Sequence, residues 1–528
     1  MSPAIRWPRS AASTAAVALL WLALLAWARP LMLPDEGRYV GVAWEMMRSG
    51  DWLTPTLNGL PYFHKPPLFY WITAASMSLF GVGELPARAA PLLGAWAGAM
   101  AVFLFLRRWW GTSAAQLALA VLLAQPLFYI GGQFANLDML VAGCITVTIL
   151  LLAHAALAYE RQESFRWPLA AGYAAAAVGV LAKGLIGFVL PALVVGAWLL
   201  VRRRWRTVVA LVSPAGAAVF LAITAPWFVA MQSRFAGFLD YFFVVQHFRR
   251  FAAGGFNNVQ PLWFYPAVVV ALTLPWLPWL RPQLDRARLS DPLRGDVRWL
   301  MVLWFVLVVA FFSIPASKLV GYVLPAVAPL AVLLADGVES WRQRDARTGR
   351  LWRVSAALTV AFSTGVIGFL ATHTGHSDKP LGLALRHLRT GDEPVYMLGN
   401  YYFDLPVYAG LREPAYVVLN WSDPAIQQRD NWRKELADAA AFAPAADARR
   451  LIDPEALSPS LCASPVSWWV GPSDAGAQFP LLGNASADAS VVASANHTNV
   501  WRLDRSQAIV SGALTCPGIP SNGSAPTS

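Results

Sequence analysis

A polytopic α-helical membrane protein with a small α/β domain at its C-terminal end is predicted by three observations. The chain of 528 residues is 57% hydrophobic and only 13% charged, whereas soluble domains run near a quarter charged. Apolar runs long enough to cross a bilayer, roughly 20 residues each, recur up to residue 371. Beyond that point the chain becomes rich in Asp, Ala, Ser and Pro, and its apolar runs shorten to strand length.

Taken in order, the apolar runs predict about eleven spans, at 11–33, 86–106, 112–130, 139–158, 168–182, 185–201, 207–229, 262–280, 299–314, 319–336 and 353–371. Arg6 and Arg9 before the first run resemble a signal peptide. The run is too long for one and many spans follow, so it reads as an uncleaved helix. Residues 168–201 divide into a hairpin with Lys183-Gly184 at its tip.

Basic clusters fix the orientation. Arg107-Arg108, Arg161 with Arg166, Arg202–Arg204 with Arg206, Arg281 through Arg298 and Arg342 through Arg353 occupy every second loop. Placing those loops and the N-terminus in the cytoplasm satisfies the positive-inside rule throughout. The loops 34–85, 131–138, 231–261 and 315–318, and the tail from 372, then face the other side. A net charge of +11 could suggest nucleic acid as a partner. Its confinement to short inter-span clusters argues for membrane lipids and excludes that class.

The loop 34–85 is long for a connection between spans. Tyr39, Val42, Ala43, Met46 and Met47 fall on one helical face, and Pro67 to Phe80 is rich in Phe, Tyr and Trp. Both segments read as helices lying in the membrane interface. In the tail, Pro394–Leu398, Tyr416–Leu419 and Trp468–Val470 read as strands and 429–442 as a helix, with a disordered end. The domains are therefore 1–371, in the membrane, and 372–528, extracytoplasmic. Cys462 and Cys516 both lie in the tail, where a disulfide is chemically permitted. Cys144 reads as a small buried hydrophobe.

Charged groups at membrane edges are costly and point to function. Here they converge on one face: Asp35, Glu36 and Arg38, then His64 and Lys65, Asp138, Lys183, His247 with Arg249 and Arg250, and Lys318 with Tyr322. Cations at headgroup depth suit a phosphate, which Arg grips bidentately and Lys as a point charge. Carboxylates beside them suit general-base work or the positioning of a polar acceptor. Transfer of a sugar from a lipid phosphate needs that combination, and the chain carries no Gly-rich nucleotide loop. Plainer readings stay open. Asp35 could simply start a helix, Lys65 could snorkel, and Arg249 and Arg250 could bind lipid headgroups.

Several segments resemble the GT-C glycosyltransferases: Leu33-Pro-Asp-Glu-Gly-Arg-Tyr39, Met47-Arg-Ser-Gly-Asp-Trp52, Asn58-Gly-Leu-Pro-Tyr-Phe-His-Lys-Pro-Pro-Leu-Phe-Tyr-Trp71, Asn136-Leu-Asp138, Ala182-Lys-Gly184, Gln246-His-Phe-Arg-Arg-Phe251 and Ser317-Lys-Leu-Val-Gly-Tyr-Val-Leu-Pro325. Within that family they look like the branch that transfers aminoarabinose to lipid A, related to the protein O-mannosyltransferases. The resemblance implies a GT-C fold in the bacterial inner membrane with its active site facing the periplasm. It implies an undecaprenyl-phosphate-linked sugar donor and lipid A, or another cell-surface acceptor, as partners.

Position by position, it implies catalytic roles for Asp35 and Asp138. Lys65 and Arg250, with Arg249, Tyr322 and Lys183, would bind the carrier phosphate, and Glu36, Arg38, Tyr62 and Lys318 would line the substrate cavity. Family members can hold a divalent metal, zinc or magnesium, between the position of His64 and a histidine like His247. The usual Glu before the lysine is His64 here, and no other cofactor is expected. The alternative activities are transfer to another polysaccharide or to a protein hydroxyl. From a different class, the chain could be a lipid-linked sugar transporter or flippase.

Overall fold

The computed structural model describes residues 10–249, 258–291, 294–345, 347, 350–429, 431–477, 479, 489–512 and 514–517. They form two compact units, one of 1–29 with 64–372 and one of 30–63 with 373–528.

The first unit is helical and is that of a polytopic membrane protein. Among the described residues, six helices are long and apolar enough to cross a membrane: Ala89–Trp109, Leu137–Glu160, Pro214–Arg234, Gly295–Ser313, Val320–Arg344 and Trp352–Thr372. A seventh span arises if Thr112–Ala124 and Pro126–Gly132, bent by 70° at Gln125, count as one. Pro126 cannot donate an amide to the preceding turn, which places the break there. Leu137–Glu160 packs against both Ala89–Trp109 and Arg166–Lys183.

Several spans differ from the sequence expectation in ways the chain explains. The run 262–280 begins as the helix Phe264–Thr273 and continues as a 3-10 segment, Leu274–Leu284. Pro275, Pro278 and Pro282 remove the amide donors an α-helix needs there. The first run gives a helix of only 13 residues, Ala11–Ala23. The hairpin at 168–201 becomes Arg166–Lys183 and Ile186–Val201, joined at Gly184. Some of the loop arginines that marked orientation are held by buried carboxylates. Asp336 accepts from Arg298 Nε at 2.9 Å and Nη2 at 3.0 Å, and from Arg288 Nη2 at 2.6 Å.

The second unit joins the segment 30–63 to the tail. Its helix Asp35–Ser49 carries the Tyr39, Val42, Ala43 and Met46 face, and it is followed by a hairpin of β1 (Thr56–Leu57) and β2 (Leu60–Pro61). Glu45 fastens that hairpin. Its carboxylate accepts from Thr56 Oγ1 at 2.8 Å, Asn58 N at 2.6 Å and Gly59 N at 3.0 Å. Asn58 and Gly59 both have positive φ, as a two-residue hairpin turn demands. The Asn58 side chain exchanges two hydrogen bonds with the main chain of Ala415, each 2.9 Å.

The tail forms a six-stranded sheet from β3 (Val395–Leu398), β4 (Tyr416–Val418), β5 (Leu451–Ile452), β6 (Val466–Pro472), β7 (Ala489–Ala495) and β8 (Thr498–Asp504), in the order β5-β4-β3-β6-β8-β7. The strands β5, β4, β3 and β6 are mutually parallel, β8 pairs antiparallel to β6, and β7 pairs antiparallel to β8. Tyr396 stacks on Tyr416 and Trp469 in its core, with ring centroids 4.9 and 5.3 Å apart. Cys462 and Cys516 are disulfide-bonded.

Two buried carboxyls meet in this unit. Asp404 accepts from Ser377 Oγ at 2.7 Å and from Asp378 N at 3.1 Å. Burial and the neighbouring carboxyl push Asp404 up to about 8, and burial pushes Asp378 up to about 6. Both values exceed the unfolded value of about 4. The pair's contribution is therefore fully present below about 4 and is lost as pH rises from there through about 6 and about 8. Thermal unfolding of the solubilised protein should fall by about 5 °C between pH 5.5 and 8.5. Asp404→Asn should flatten the dependence; an unchanged slope would contradict it.

Candidate active site

In the first unit three of the predicted residues come together. Asp138 enters the first turn of Leu137–Glu160, where the Asn136 side chain accepts its amide at 2.9 Å. Asn136 Nδ2 also donates to Asp138 Oδ2 at 3.2 Å. Lys183, the last residue of its helix, forms an ion pair with Asp138 Oδ1. The Lys183 ammonium lies 4.4 Å from the centre of the Tyr322 ring. Only 8% of the carboxylate side chain and 19% of the lysine remain accessible. Gly321 presses against this group, and a Cβ there would collide with the Asp138 carboxylate. The spacing of Ser317–Pro325 thus has a physical reason at one glycine. The arrangement holds a fixed carboxylate and a cation whose charges largely cancel until a ligand competes for either.

His64 is buried, and its Nε2 lies 2.9 Å from the Tyr241 hydroxyl, which also accepts from Gln246 Nε2 at 3.0 Å. Lys65 follows directly and is half-buried. Lys318 is taken up by its own surroundings. Its ammonium donates to Gln260 O at 2.8 Å and Pro315 O at 2.6 Å, clasping the turn before the Val320 segment.

The second unit gathers a different set. Asp35 opens the helix Asp35–Ser49 and is half-exposed, where a negative charge complements the helix dipole. One turn on, Arg38 Nη1 donates to Glu435 Oε1 at 3.1 Å, with its guanidinium 5.0 Å above the Phe403 ring. Burial works against the Arg38 charge. Glu435 first, then Tyr62, Tyr39 and Asp35, outweigh it, so the guanidinium is held in its charged form. Burial pushes the Tyr39 phenol well up, and the charges of Tyr62 and Asp35 add to this. Asp35, Arg38, Tyr39 and Tyr62 thus form one electrostatic group. Glu36 has another task. It is fully buried, and its carboxylate accepts the Met32 amide at 2.9 Å.

Sequence reasoning missed Glu435. It lies in the short amphipathic helix Trp432–Ala440, 397 residues from Arg38, and nothing in the local pattern marks it. The side chains of His247, Arg249 and Arg250 lie outside the described residues. Among the described residues no group of three or more His, Cys, Asp or Glu could hold a metal, and His64 Nε2 engages Tyr241.

Residues 64–229 match the family model described as dolichyl-phosphate-mannose-protein mannosyltransferase. The chain is 32% identical over 364 residues to the undecaprenyl phosphate-alpha-4-amino-4-deoxy-L-arabinose arabinosyl transferase of Pectobacterium carotovorum, over 68% of this chain and 63% of that protein. It is 34% identical over 311 residues to the enzyme of the same name from Pseudomonas aeruginosa PAO1, over 58% and 56% respectively. The chain thus spans somewhat under two thirds of these relatives' length. Its fold is similar to the crystal structure of ArnT from Cupriavidus metallidurans bound to undecaprenyl phosphate, with a TM-score of 0.77 and 25% identity over 92% of this chain and 96% of that one. The apo form of the same protein gives 0.73. By sequence and by fold, the chain is similar to the undecaprenyl phosphate-aminoarabinose arabinosyl transferases and shares their GT-C fold.

Proposed function

We propose that this protein is an inner-membrane glycosyltransferase that moves aminoarabinose from undecaprenyl phosphate to lipid A on the periplasmic side. The observation that carries the reading is the fold likeness, over 92% of the chain, to a protein crystallised with undecaprenyl phosphate. The eleven-span topology, with the tail 372–528 and the 34–85 loop on the periplasmic side, belongs to the same proposal.

In this reading Lys65 and Arg250 hold the carrier phosphate, assisted by Arg249. An oxygen of a lipid A phosphate attacks the anomeric carbon of the sugar. The bond from that carbon to the carrier phosphate breaks, and undecaprenyl phosphate leaves with the electron pair, its charge met by the cations. The attacking oxygen is already anionic, so Asp35 need not remove a proton. It orients the reacting groups and meets the amino group of the sugar, while Arg38, Tyr39 and Tyr62 set the field around it. Asp138 holds Lys183 and Tyr322 in place for the donor.

Mass spectrometry of lipid A from cells with and without the protein tests the reading. The expected result is an added aminopentose only when the protein is present. Unmodified lipid A in both, with no transfer by the purified protein from aminoarabinose-loaded carrier, would overturn it. Sugar movement across vesicles without any transfer would instead favour a flippase.

A further inference from the structure

The helix that supplies Glu435 also carries an aromatic residue at its first position. Trp432, its first residue, lies three positions before Glu435, a spacing that places both on one side of a helix. The Trp432 ring meets Trp421 edge to face, with centroids 6.3 Å apart and planes at 84°. The two indoles therefore form a corner rather than a stack. Trp421 is anchored twice. Its Nε1 donates to Val417 O at 3.0 Å, and its amide donates to Asp453 Oδ1 at 2.7 Å. Both residues remain half-exposed, Trp421 in the turn after β4 and Trp432 at the start of its helix. Cations flank them. Arg433 lies 5.6 Å from the centre of the Trp432 ring, and Arg429 is exposed nearby in sequence. Lys434 is already occupied by Asp438 and Gln427.

We propose that the Trp421–Trp432 corner, with Arg429 and Arg433, is the subsite that grips the phosphorylated sugar headgroup of the acceptor. It rests on the acceptor reading above. Indole faces take the apolar C–H face of a pyranose ring, and perpendicular rings fix its tilt as well as its plane. Arginine beside them takes a sugar phosphate in bidentate fashion. A free hydrocarbon chain would use neither feature, and a neutral glycan would leave the arginines without purpose. Through the Trp432–Glu435 spacing the corner adjoins the Arg38–Glu435 pair and the Asp35 group. A headgroup seated there lies next to the residues assigned to the reacting sugar.

The test is titration calorimetry of the full-length protein in detergent with a water-soluble bisphosphorylated glucosamine disaccharide lacking acyl chains, and with the same disaccharide without phosphate. Wild type should bind the phosphorylated form more tightly. Trp432→Ala should weaken binding about tenfold, and Trp432→Phe, which keeps an aromatic face, should retain most of it. Arg433→Gln should erase the preference for phosphate while leaving residual sugar binding. Absence of binding to wild type, or equal affinities for wild type, Trp432→Ala and Arg433→Gln, would overturn the proposal. Because binding is read without transfer, loss of the subsite is distinguishable from failure of the aminoarabinose reading. The latter appears as unmodified lipid A whatever the disaccharide does.

Discussion

Asp35→Asn should lower sugar transfer about a thousandfold, the range typical of a positioned carboxylate acting at a reacting centre, while leaving the protein folded. Asn has the same shape as Asp and starts helices as well, so the helix Asp35–Ser49 should persist. Arg38 keeps its charge through Glu435, the largest of the interactions that raise it. The substitution removes the charge of Asp35 and leaves the other two carboxylates in place, Glu36 on the Met32 amide and Glu435 on Arg38. If Asp35 served only to favour the helix start, the variant would lose at most about 1 kcal/mol of stability and would transfer at the wild-type rate.

The second large effect concerns Asp138 and Lys183. Removing either partner leaves an uncompensated charge in a site where little of either side chain is accessible, at a cost of about 3–5 kcal/mol. Asp138→Asn and Lys183→Met should each lower the thermal stability of the solubilised protein and abolish transfer. The double variant removes both charges. It should recover most of the stability and none of the activity, because Tyr322 then has no cation to face. Recovery of transfer in the double variant would show that the pair serves only the fold. Additive losses of stability would show that the two groups do not depend on one another.

Hydropathy is a local property, and so most of the first unit could be read directly. The helices Leu137–Glu160 and Trp352–Thr372 lie close to their apolar runs, and departures such as the 3-10 segment Leu274–Leu284 trace to prolines visible in the sequence. The short apolar runs of the tail form β3, β4 and β6 for the same reason. Pairings between distant segments were not legible. Nothing near Arg38 announces Glu435, and nothing near Asn58 announces Ala415.

The charged residues at the membrane edge were found because burying charge is expensive, but that argument does not say what each charge does. Lys183 joined a carboxylate, as a site would have it, and Lys318 joined two backbone carbonyls, as a turn would. Glu36 shows the same ambiguity, being as acidic as its neighbour Asp35 and accepting the Met32 amide just before the helix. A metal between His64 and His247 gains no support from the described residues, where Tyr241 occupies His64 Nε2.

The most direct test is the single-turnover rate of purified wild type and Asp35→Asn, each given undecaprenyl phosphate-aminoarabinose and lipid A and followed by appearance of the modified lipid. Wild type should complete a turnover, and the variant should bind the carrier equally well but form product about a thousandfold more slowly. Equal rates in the two proteins, or no product from wild type with both substrates bound, would contradict the account.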